Sequence, residues 1–109
     1  MPTTITIVKK LKDPKNASAG YVLQPDTGLP AEVKTGDLVT FLLGDGVSGL
    51  SITFTERSPF GAARKTVRYN QPLEVTEAHD PKQPRFKYSC RTADGLSTDD
   101  GGEVEIVHN

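Results

Sequence analysis

Three side chains of soft metal-ligating character stand out in the 109 residues: Cys90, His79 and His108, the only thiol and the only two imidazoles. Thiolate and imidazole are the donors that hold copper or zinc, so the spacing of these three decides whether such chemistry is open to the chain. His79 lies beside Asp80 and Pro81 in a segment read as a loop, and His108 is the penultimate residue. Both positions are expected to be mobile or exposed, whereas a tight metal site needs ligands fixed by surrounding hydrogen bonds. They read as two surface histidines. A reactive thiol needs a cationic, partly exposed setting. Arg91, next to Cys90, belongs on the opposite face of a strand, so Cys90 reads as a small buried hydrophobe. A metal-handling or electron-transfer site at Cys90, His79 or His108 is kept as the alternative.

Other chemistry is weaker still. Asp94, Asp99, Asp100 and Glu103 are close enough in sequence to gather around calcium, but Asp94-Gly95 and Asp100-Gly101 are explained more simply as turns with solvated acids. The run Gly46-Val47-Ser48-Gly49 approaches a nucleophile elbow, yet it falls between two strands and not before a helix. No phosphate-binding glycine loop and no zinc spacing occurs, and paired carboxylates between Asp94 and Glu105 are the sole basis for a hidden enzyme. The chain is read as non-catalytic, with no cofactor.

Basic residues cluster at Lys9, Lys10, Lys12 and Lys15 and again at Arg57, Arg64, Lys65 and Arg68. Alternation puts Arg64 and Arg68 on one face with Thr66, opposite Val67 and Tyr69. Rows of this kind keep sheet edges soluble. Nucleic-acid binding would call for aromatic platforms among the charges, and most aromatics fall at core-facing positions. Phe60, between Pro59 and Gly61, is the exception: it either folds back onto the core or meets a partner. Phe60, Arg64, Arg68 and Arg91 are the candidate contact residues.

The elements that must position these groups are short. Eight prolines and ten glycines divide the chain into runs of period two, with no helical stripe. The spacing predicts strands at Thr3 to Val8, Tyr21 to Gln24, Glu32 to Lys34, Leu38 to Leu43, Leu50 to Thr55, Lys65 to Tyr69, Leu73 to Thr76, Arg85 to Arg91 and Glu103 to Val107. Leu38 to Leu43 is apolar except at Thr40, as for a strand covered on both faces or one at the centre of the sandwich, and it is expected to be central. Gly44, Asp45 and Gly46 then suggest a hairpin to Leu50 to Thr55. In Arg85 to Arg91, Phe86, Tyr88 and Cys90 alternate inward. The chain, residues 1–109, is one all-β domain without internal repeat or linker.

Thirteen basic against fourteen acidic residues give a formal charge of −1, so no global field draws the protein to nucleic acid or anionic membrane. No apolar run approaches the ~20 residues that span a bilayer. The alternating start, Met1 to Val8, lacks the pattern of a secretory signal, and a single cysteine suits a reducing compartment. The expectation is a soluble, cytoplasmic protein.

Phe86, Tyr88 and Cys90, an eleven-residue polar loop and then Gly102 to Val107, with Val33 to Phe41 upstream, together resemble a cupredoxin of the plastocyanin or azurin type. The resemblance implies a Greek-key β-sandwich of about eight strands, an immunoglobulin-like sandwich being the runner-up. It also implies a copper site, and there the chain departs from the pattern. The family places one histidine and a methionine in the loop after the cysteine, where this chain has Arg91 to Asp100 with neither. It places another histidine on the strand matching Gly49 to Phe54, where this chain offers Ser51 and Thr53. The reading is therefore a metal-free binding module. It would meet another protein or a small ligand through the loops at Gly44 to Gly49, Ser58 to Ala63 and Arg91 to Gly102. Edge pairing into a homodimer stays open.

Overall fold

The computed structural model describes residues 2–26, 30–98 and 101–108. Nine strands occur among them: β1 (Pro2–Leu11), β2 (Tyr21–Pro25), β3 (Ala31–Val33), β4 (Leu38–Leu43), β5 (Ser51–Phe54), β6 (Thr66–Val67), β7 (Leu73–Glu74), β8 (Arg85–Arg91) and β9 (Gly102–Ile106). All nine expected strands are present, most shortened or lengthened by a residue or two. Two depart further: β6 keeps two of its five expected residues, and β1 runs on to Leu11 because Lys9, Lys10 and Leu11 pair with Leu23, Val22 and Tyr21. A 3₁₀ turn at Ala17–Ala19, capped by the Asn16 side chain accepting from the Ser18 N–H at 3.2 Å, joins β1 to β2.

The strands form two mixed sheets, ordered β2-β1-β4-β7 and β3-β9-β8-β5-β6. β1 runs parallel to β4 and β3 parallel to β9, while the remaining pairs are antiparallel. This all-β, two-layer arrangement fits a β-sandwich. Both sheets contribute to one core that includes Ile5, Ile7, Val39 and Phe41 from the first and Ile52, Phe54, Tyr88 and Val104 from the second. Side-chain alternation is the cause, since every second residue of a half-buried strand turns inward. Tyr88 links the layers. Its ring meets Phe41 of the facing sheet edge-on at 5.3 Å and Phe54 of its own sheet at 5.4 Å.

One expectation resolves between its two alternatives and another needs correction. β4 is central in its sheet but is not covered on both faces: Val39 and Phe41 are fully buried, whereas Leu38 is 46% exposed and Leu42 half-buried. β4 and β5 are also not hairpin neighbours, because Gly44 continues the β1 pairing through its N–H to Ile7 O at 2.8 Å. The chain then crosses to the other sheet. Val47 is buried on the way, anchoring the crossing loop.

Candidate functional site

Cys90 points inward, as alternation predicts, and is 2% exposed. Its strand shows an unbroken alternation of exposed and buried residues from Arg85 to Arg91. Burial raises the thiol from an ordinary 9.0 to about 12, with no cation nearby to oppose the effect. Such a thiol is a poor nucleophile at neutral pH. Directly opposite Cys90 on β5 stands Ile52, flanked by Ser51 and Thr53. The Cys90 N–H donates to Thr98 Oγ1 at 3.2 Å and the Cys90 carbonyl accepts from Thr98 N at 3.1 Å.

The two histidines, 29 residues apart in sequence, do meet. Their rings lie edge to face with centroids 5.6 Å apart. They are remote from Cys90, however. Arg85 faces Glu105, and the chain continues past Glu105 away from Cys90 toward His108. Five steps of extended strand from Arg85 to Cys90 put the thiol roughly 17 Å or more from the imidazoles. Among the described residues no group of three or more His, Cys, Asp or Glu is placed to hold a metal ion.

The outward face of the second sheet carries the polar side chains. Along β8 these are Arg85, Lys87, Ser89 and Arg91. At one end Arg85 is neutralised: its Nε donates to Glu105 Oε1 at 2.9 Å, and Glu103 lies 3.9 Å from its Nη1. Arg57 backs this end, donating from Nη2 to Gln83 O at 2.7 Å while its guanidinium sits 4.3 Å from the centroid of the Phe86 ring. A depression of about 450 Å³ opens there. At the other end Arg91 is exposed and makes no ion pair among the described residues.

A second depression of about 450 Å³ lies at Arg91, lined by Ser51, Thr53, Ser89, Ser97 and Thr98 and by Cys90, whose side chain is buried beneath it. Pairing explains most of it, since Ser51 faces Arg91 and Thr53 faces Ser89 across the β5–β8 ladder. The rest comes from the loop after β8. Thr92, only 4% exposed, folds that loop: its Oγ1 donates to Asp94 Oδ1 and accepts from the Leu96 N–H at 3.0 Å. The Thr92 hydroxyl, helped by nearby backbone N–H groups, holds the Asp94 carboxyl below its ordinary value. The chain then returns so that Ser97 bridges Arg91 on one side while Thr98 bridges Leu23 of β2 on the other.

The sequence-predicted contact residues are not brought together. Arg91 stands in the depression just described. Arg64 and Arg68 are exposed around a smaller hollow of about 280 Å³ at the β6 edge, with Thr66 and Gln71. Phe60 takes the first of its two alternatives. It is 4% exposed and packs edge-on against Phe54 at 5.7 Å, so it caps the core. The exposed aromatic is instead Tyr21, 45% exposed, with Lys9 Nζ 4.3 Å above its ring. Asp94 is engaged by Thr92 and Glu103 by Arg85, while Asp99 and Asp100 lie outside the described residues. No helix among the described residues is long and apolar enough to cross a membrane.

Sequence reasoning missed the hydroxyl-lined depression, whose one legible sign was the outward alternation of Ser51, Thr53 and Ser89. No protein-family model, no curated protein and no solved structure matches this chain.

Proposed function

We propose that this protein is a non-catalytic binding module built on a Greek-key, cupredoxin-like β-sandwich that has no type 1 copper site. The topological half of the proposal is supported by the strand order, with β1 parallel to β4 in one layer, β3 parallel to β9 in the other, and a buried cysteine near the end of the penultimate strand. The functional half rests on one observation: the surroundings of Cys90. Type 1 copper takes two imidazoles and a thiolate in a trigonal set with a weak axial ligand. Here the thiol is sealed among apolar side chains, hydroxyls stand on the neighbouring strand, and both imidazoles are at the far end of the sheet. The residues do not fit the ion.

What remains on the outer face is suited to recognition: a concave polar surface on a rigid sheet, where the ligand would be held by Arg91 and hydroxyls. The partner is a small ligand or another protein, and the edge strands β3 and β7 leave room for self-pairing. A reducing compartment such as the cytoplasm suits the free thiol.

Copper titration of the intact protein tests the reading. We expect no thiolate-to-copper charge-transfer band in the visible region, and identical spectra for Cys90→Ser. A stoichiometric band that disappears in Cys90→Ser would overturn it in favour of the metal-handling alternative.

A further inference from the structure

We propose that the depression around Arg91 is a binding site for a small oxyanion, a phosphate, sulfate or carboxylate that forms the charged end of a larger ligand. The inference rests on the reading of the chain as a binding module, and it assigns that module its site and its ligand chemistry.

The two ends of β8 make the case by contrast. Each end carries an arginine on the same outward face beside a depression of similar volume. At Arg85 the positive charge is cancelled by Glu105 and Glu103, so an anion arriving there would displace carboxylates already in place. At Arg91 no carboxylate of the described residues pairs with the guanidinium, and apart from the buried Cys90 the residues lining the depression around it carry hydroxyls. A guanidinium presents a planar fork that matches two oxygens of an oxyanion. Serine and threonine hydroxyls turn to donate to whichever oxygens remain. The hydroxyls of Ser51, Thr53, Ser89 and Ser97 make no hydrogen bond among the described residues, so they keep their donors for a ligand.

Position adds a second argument. Ser51, Thr53, Ser89 and Arg91 stand on two paired strands in fixed register, and strands hold a site more accurately than loops do. Ser97 and Thr98 are held by backbone bonds to both β2 and β8, which fixes the far wall. The volume, about 450 Å³, lies within the range of small-ligand sites. The depression leaves room for the rest of a ligand beyond its charged group.

Two-dimensional amide NMR of the full chain, titrated separately with inorganic phosphate, inorganic sulfate, sodium acetate and glucose, tests the proposal. At least one of the three anions should shift the amides of Ser51, Thr53, Ser89, Arg91 and Ser97 along a saturable curve, and glucose should not. Which anion binds most tightly identifies the charged group. Arg91→Ala should weaken binding at least tenfold and Arg91→Lys should restore it only in part, because a point charge lacks the fork. Arg64→Ala, at the other hollow, should leave binding unchanged. Arg91 is exposed, so its variants keep the fold, which their spectra would report directly. Shifts scattered over all basic residues without saturation, binding indifferent to Arg91→Ala, or glucose moving the same amides as strongly would each overturn the site. Because Cys90 faces the core and Arg91 the solvent, a copper band at Cys90 and a failed anion titration are separate results, striking the module reading and this site respectively.

Discussion

Gly102 offers the sharpest test of how the layers are packed. A methyl group built on its backbone would lie 2.2 Å from Tyr88 Cζ, 2.3 Å from Oη and 2.7 Å from Cε2. Gly102 is not among the residues of positive φ, so alanine is conformationally allowed there and would ordinarily be worth roughly 0.5–1 kcal/mol in a strand. The obstacle is the ring. Tyr88 is held at 2% exposure between Phe41 and Phe54 and has little room to swing aside. Overpacking of this kind costs about 1–3 kcal/mol, and we place Gly102→Ala at the upper end, about 3 kcal/mol. With a urea m-value of about 1.5 kcal/mol/M the midpoint should fall by roughly 2 M.

A double-mutant cycle then locates the cause. The three atoms met by the methyl group belong to the outer half of the ring, which leucine lacks, so in a Tyr88→Leu background Gly102→Ala should cost under about 1 kcal/mol, a coupling of roughly 2 kcal/mol or more. Tyr88→Phe keeps Cζ and should give no relief. Equilibrium urea unfolding followed by far-ultraviolet circular dichroism reads all five variants beside the parent. If Gly102→Ala lay within 1 kcal/mol of the parent, or cost the same with leucine at position 88, the packing argument would be wrong.

Three further outcomes follow from the same structure. The Cys90 thiol ionises near 9.0 when unfolded and at about 12 when folded, so its contribution to stability is complete below pH 9 and is lost as pH rises toward 12. At about 1.36 kcal/mol per unit, stability should fall by roughly 2.5 kcal/mol more between pH 9 and 11 in the parent than in Cys90→Ala, by urea unfolding at each pH; the thiol should also resist disulfide reagents at pH 8 until denaturant is added. Thr92→Val removes the hydroxyl that turns the loop after β8 and should cost about 1–3 kcal/mol while raising the Asp94 carboxyl toward its ordinary value, visible in a side-chain NMR titration. Arg57→Ala should destabilise by about 1–3 kcal/mol through loss of the bond to Gln83 O and the contact with Phe86, and Arg57→Lys should recover less than half in thermal melts.

Local alternation made most of the fold legible. Phe86, Tyr88 and Cys90 at every second position specify both a strand and its buried face, and the structure follows them. β4 was harder because five apolar residues in six cannot distinguish one covered face from two; the facing sheet, which meets β4 at Phe41 through Tyr88, settles the matter only in three dimensions. Gly44, Asp45 and Gly46 have the chemistry of a hairpin turn, but turn chemistry is local and the partner of a strand is not. Phe60 and Tyr21 could not be placed from spacing for the same reason: Phe60 finds Phe54 across a loop, and Tyr21 sits where β1 and β2 outrun the rest of their sheet. The candidate site was legible one residue at a time. That Arg91 meets Ser51, Ser97 and Thr98 depends on the β5–β8 pairing and on a loop folded by Thr92, and neither leaves a mark in the spacing of the residues.

The bridging of Leu23 and Arg91 by Thr98 and Ser97 has a mechanical meaning. Along that flank a short stretch of backbone is stitched to both layers, whereas on the opposite flank β6 and β7 belong to different sheets and do not pair. The tie beside Arg91 sits on the strands themselves, whereas near the hollow bordered by Arg64 and Arg68 it lies beyond the ends of two-residue strands, where the Thr76 and Glu77 N–H groups donate to Pro59 O. Thermal breathing should be one-sided, with amide protons of β6 and β7 exchanging long before those of Leu23 and Cys90.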